Sequence, residues 1–182
     1  MKRRRRQSLQ FAVTALFALL LTALPAAVDA LVAPNPRLTP GAIGAPGVPN
    51  PTVAQVCARG YAHRMRHHYD RAWRQYRAAV FQEYAIPYAR RRAYTVDHLV
   101  PIELGGRAFG VGAGGWDLRN VWPQPKAEAK RKDAVEGALY AAVCDASGYR
   151  GLHLSLSQAQ HAIAADWTHT PVGLPVPAAR DH

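Results

Sequence analysis

Asp97 and His98 stand side by side in the stretch YTVDHLVPIELGG, residues 94–106. A carboxylate next to an imidazole can serve hydrolysis of a phosphodiester. That bond resists attack because its anionic oxygens repel a nucleophile. Cleavage needs an activated water, positive charge on the phosphate oxygens and fixed geometry. A histidine can take the proton from water near neutral pH, since its free pKa is about 6.5. A carboxylate beside it can hold a divalent cation. Neighbours on a strand point to opposite faces, so the two can share a site only where the strand ends or bends. Pro101 and the turn at Gly105 and Gly106 supply such an end to a strand expected from Tyr94 to Val100.

The elements that must position this pair follow from the residue pattern. Tyr69, Trp73, Tyr76, Val80 and Tyr84 recur at spacings of three and four and predict one helix face. Arg71 and Arg74 fall on another side of that helix and are candidate phosphate contacts. GGRAFGVGAGG carries six glycines and matches no phosphate-binding loop. It reads as a flexible excursion before a second extended piece, WDLRNVWPQP. Pro125 then precedes a helix expected over 126–144, with Val135, Leu139, Ala142 and Val143 as its apolar stripe. Lys130 and Lys132 are placed on the solvated side of that helix, as further phosphate contacts. A last helix is expected over 155–167, opened by Ser155 with Gln158 as a capping box. Its buried face is Leu156, Ala159, Ile163 and Trp167.

Taken together, DHLVPIELGG, DLRNVWP and a Lys-rich helix resemble the HNH nuclease motif. The further segments NVWPQP, AKRKD and AIAADW look like a small exported bacterial subfamily of it. The resemblance implies an α+β fold. Its centre would be a ββα-metal finger, two short antiparallel strands and a helix, packed with flanking helices. It implies His98 as general base, Asp97 as metal ligand, and Asn120 as the residue whose amide holds the loop behind His98. The family's third slot falls at Ala129, which cannot bind a metal. Glu128, Asp133 or water takes that role, or the site is impaired. The implied cofactor is a divalent ion, Mg or Mn first, with Zn or Ca as alternatives. The implied substrate is DNA, with RNA as the alternative.

Composition sets the setting. The first thirty residues have a basic head, MKRRRR, an apolar run from Phe11 to Leu24 and a small-residue end at Ala30. That layout predicts a cleaved signal peptide over 1–30 and a secreted or periplasmic product with no stable membrane span. Its removal leaves 18 Lys and Arg against 11 Asp and Glu, a balance that favours polyanions. Residues 31–56 are rich in Pro and Gly and predict a linker or loosely packed arm. The domain is expected over 57–170, and 171–182 as a flexible tail. Cys57 and Cys144 are the only cysteines. In an exported chain such a pair reads as one disulfide, the other reading being two buried thiols. Two functions from different classes fit: a metal-dependent endonuclease, and a non-catalytic polyanion-binding envelope module on a degenerate HNH scaffold.

Overall fold

The computed structural model describes residues 33–45, 47, 49–67, 73–108, 111–112 and 115–173. The leader expected over 1–30 lies outside them, and so does Arg71. All described residues fall in one compact unit, Val32–His182. Helix and sheet are mixed, an α+β arrangement. In chain order the elements are α1 (Val53–Val56), α2 (Tyr61–His67), α3 (Trp73–Glu83), β1 (Tyr94–His98), β2 (Val111–Gly112), β3 (Gly115–Trp116), β4 (Val121–Pro125), α4 (Lys126–Cys144) and α5 (Leu156–Asp166). A 3₁₀ turn, Tyr88–Ala93, leads into β1.

β1 and β4 pair antiparallel, with Asp97 opposite Trp122 and His98 opposite Val121. Alternation then sorts side chains onto two faces. Tyr94, Val96 and Val121 join Tyr76, Val80 and Phe81 of α3 in one apolar cluster. Trp122 joins Val135, Ala138 and Leu139 of α4 in the other, with Leu156, Ala159, Ile163 and Trp167. α3 and α4 thus cover opposite faces of the β1–β4 pair. α4 spans the range read from its sequence pattern and starts on Pro125. Pro has no N–H to lose there, and helix starts leave such groups unbonded in any case. α5 opens with the Ser155–Gln158 capping box.

The proline-rich segment before the domain is no loose linker. Gly41 and Ala42 donate backbone hydrogen bonds to Arg119 O, at 3.1 Å each. Ile43 forms a bridge with Gly106. Thr39 is buried and donates to Val121 O at 2.7 Å. The C-terminal side is also held further than expected: Val172 packs into the α4 cluster. Residues 174–182 lie outside the described set.

Cys57 and Cys144 form a disulfide, with their Cα atoms 5.4 Å apart. It ties the C-cap of α1 to the last residue of α4 and closes a loop of 87 residues. Among the described residues no helix is long and apolar enough to cross a membrane. The disulfide is compatible with an extracytoplasmic protein.

Candidate active site

β1 ends at His98, and the chain bends at Leu99 and Val100. Asn120 fixes that bend. Its Oδ1 accepts from Val100 N at 2.9 Å, and its Nδ2 donates to Val100 O at 2.8 Å and to Arg107 O at 3.1 Å. Its own carbonyl accepts from Leu99 N at 2.8 Å. Asn120 is fully buried, so each of these bonds replaces one that water would have made. Gly106 closes the other side. A Cβ there would lie 1.9 Å from Val100 O and 2.8 Å from Asn120 Nδ2, so only glycine fits.

Asp97 turns toward α4. Its Oδ2 lies 2.7 Å from Lys132 Nζ. The same ammonium donates to His98 O at 2.7 Å and to Glu136 Oε1 in a short contact. Lys132 is fully buried, so it cannot reach a phosphate from the outer face of α4; the sequence-based placement is corrected on this point. A buried ammonium is costly unless paired and hydrogen-bonded, and here three oxygens meet it. Burial pulls its pKa down, but Asp97 and Glu136 outweigh that pull and hold it above the usual lysine value. Burial pushes the Glu136 carboxyl up, against the pull of Lys132.

His98 is the last residue of β1 and lies opposite Val121 in the ladder. Burial lowers its pKa to about 4, with Asp97 pulling the other way and Lys132 and Arg66 adding to the depression. The imidazole is therefore neutral at neutral pH, the form that can accept a proton. Its Nε2 is shut off from solvent and has no hydrogen-bond partner. Arg66 of α2 reaches the same region and pairs with Glu103 at 3.1 Å, its side chain still 60% exposed.

The remaining candidates are dispersed. Glu128 lies 3.0 Å from Arg131 Nη2. Asp133 is exposed. Among the described residues no group of three or more His, Cys, Asp or Glu side chains is placed to hold a metal ion. Neither Glu128 nor Asp133 therefore completes a protein cage around Asp97. Asp97 is left as the one candidate ligand from the motif, and its Oδ2 already faces the Lys132 ammonium. Arg74 and Lys130 are both exposed, on helices that cover opposite faces of β1 and β4. They do not form one surface.

Sequence reasoning missed the inward role of Lys132 and the part of Glu136. The signal was there: the two are four residues apart, the spacing of a helix ion pair. Arg66 carried no such signal, since its place depends on how α2 packs. Comparisons with protein-family models, with curated proteins and with solved structures find no match for this chain.

Proposed function

We propose that this chain is an HNH-type endonuclease, secreted or periplasmic, that hydrolyses phosphodiester bonds in DNA, with RNA as the alternative. In this reading β1, β4 and α4 act as a ββα-metal finger. The observation that carries it is His98, a neutral imidazole at a strand end with the following loop clasped by Asn120. His98 takes the proton as the water oxygen bonds to phosphorus. The phosphorus–oxygen bond to the leaving nucleoside then breaks, and that oxygen takes a proton from solvent. Arg66, exposed and within electrostatic reach of His98, offers positive charge to the phosphate oxygens. Asp97 would hold the divalent ion, which supplies further charge there. Lys132 holds both the Asp97 carboxylate and the His98 carbonyl in place.

One observation favours a second reading. Lys132 already occupies Asp97 Oδ2, and Ala129 leaves the helix slot without a donor. A scaffold whose internal lysine has replaced the cation would be a polyanion-binding module without cleavage.

Nicking of supercoiled plasmid separates the two. Oxidised protein is assayed with Mg²⁺, Mn²⁺, Ca²⁺, Zn²⁺ or EDTA, wild type against His98→Ala. The expected result is nicking by wild type with a divalent ion. His98→Ala should be slower by about 10²–10⁴-fold at unchanged DNA affinity. Equal DNA binding by both proteins with no cleavage under any condition would leave the binding module standing.

A further inference from the structure

The face of the molecule away from α4 ends in a ladder of alternating cations and rings. The Arg77 guanidinium lies 5.9 Å from the Phe81 ring centroid. That of Arg91 lies 5.3 Å from the same ring and 5.7 Å from the Tyr88 ring. Arg91 Nε also donates to Ile86 O at 3.3 Å, which fixes the guanidinium between the two rings. Phe81 is buried, but Tyr88 at the top of the ladder is 85% exposed. So large an aromatic surface left in water, on a rung already stacked from below, invites a further planar group.

The charge around it selects the kind of group. No acidic residue occurs between Glu83 and Asp97, while Arg90 and Arg92 are exposed beside the ladder. A planar group carried on a polyanion meets both demands. We infer that Tyr88 is a stacking platform for an unpaired base of single-stranded nucleic acid, with Arg90 and Arg92 on the flanking phosphates. Duplex DNA keeps its bases stacked on one another and cannot offer a free face without opening. Single strands can, and aromatic stacking is how proteins bind them without reading sequence.

The backbone under the platform is preset. α3 ends with Ile86 N donating to Phe81 O at 2.8 Å and Ala85 N to Gln82 O at 3.0 Å. Ala85 sits at φ +52°, in the left-handed region. This is a Schellman-type stop. It turns the chain out of the helix immediately before Pro87 and Tyr88. The 3₁₀ turn that carries the arginines then runs directly into β1, whose far end is His98. The five residues of β1 span about 13 Å at strand rise. A single strand seated on Tyr88 thus starts on the turn that leads into the strand carrying the candidate base.

The inference takes its ligand class from the nucleic-acid reading but not from cleavage. Its test is fluorescence anisotropy in EDTA with the oxidised chain. The probes are a short oligothymidylate, an abasic strand with the same phosphates, and a duplex. Wild type should prefer the oligothymidylate over the abasic strand by roughly fivefold or more. Tyr88→Ala should erase that preference without changing thermal stability, and Tyr88→Trp should keep it. Equal binding of the two strands by wild type, no binding of either, or a preference that survives Tyr88→Ala would each overturn the proposal. A failure of hydrolysis appears only in the nicking assay, so the two readings fail separately.

Discussion

The two faces of the β1–β4 pair handle charge in opposite ways. On the α4 face a fully buried ammonium meets two carboxylates and a backbone carbonyl within hydrogen-bond reach, with Glu136 largely covered and Asp97 partly exposed. On the α3 face the cations are stacked on rings or left exposed, with the uppermost ring open to solvent. A closed cluster satisfies itself and has little left for a ligand. An open one still faces water and what binds. The lesson is about where to look for a partner: among the described residues the buried charge of Lys132 is taken up within the protein, and the exposed charge is the part available for recognition. His98 lies at the edge of the first regime, its carbonyl held by Lys132 and its Nε2 without a hydrogen-bond partner.

Breaking the closed face should have the largest effect on stability. Lys132→Met removes the one cation among Asp97, Glu136 and the His98 carbonyl. Leaving Glu136 and the partly buried Asp97 without their partner costs about 3 kcal/mol. Chemical denaturation should show that loss. The triple variant Lys132→Met, Asp97→Asn, Glu136→Gln should recover a large part of it, because no buried charge is then unpaired. A Lys132→Met protein as stable as wild type would mean that this face is not closed in solution.

That burial of Lys132 marks the limit of what the sequence discloses. α4 and α5 were legible because their apolar residues recur at helical spacing and their starts carry Pro125 and the Ser155–Gln158 box. The disulfide was legible because two cysteines allow one pairing. The hold of Asn120 on the turn after His98 was expected from the motif resemblance. Lys132 was not, since periodicity assigns faces by apolar residues and counts every lysine as outward. The arm was misread for a related reason. Prolines and glycines forbid a strand or helix, but they do not forbid packing, and Thr39, Ile43 and Gly41 are held by contacts far along the chain. Tyr88 was invisible because it lies outside any helical stripe, and its exposure is a property of the turn beneath it.

A smaller effect is expected at the loop that joins the two faces. Asp117 accepts from Arg119 N and Nε at 3.2 and 3.0 Å through Oδ1. Its Oδ2 accepts from Arg107 Nη1 at 2.6 Å and Arg119 Nη2 at 2.9 Å. Arg107 in turn donates to Gly44 O and Ile43 O, so the pair fastens the arm. The Arg119 hydrogen bonds come first among the causes that lower the Asp117 carboxyl to about 2. Its folded pKa thus lies below the unfolded value of about 3.9. The stability it contributes is present above that value and is lost as pH falls toward 2. Arg119 is largely exposed, and water screens that half of the interaction. Asp117→Asn should cost on the order of 1 kcal/mol at neutral pH and flatten the stability curve between about pH 4 and pH 2. An acid limb as steep as that of wild type would assign acid unfolding to other carboxylates.

The smallest expected effect has the opposite sign and belongs to the open face. Ala85 holds φ +52° at the C′ position of α3, where glycine is the usual residue because a Cβ crowds the following carbonyl. Replacing it with glycine removes that crowding and also frees the unfolded chain, and the two effects oppose each other. The native strain is the larger in the left-handed region, so Ala85→Gly should raise stability by about 0.5–1 kcal/mol. Thermal or chemical denaturation of the oxidised chain reads it directly. The same variant sharpens the comparison between the faces. If the strained turn serves to hold Tyr88 upright, Ala85→Gly gains stability and weakens the preference for an oligothymidylate over an abasic strand. If the turn is only a helix stop, stability rises and that preference stays as it was. A loss of stability would show that the added freedom of the unfolded chain outweighs the relief of the left-handed strain.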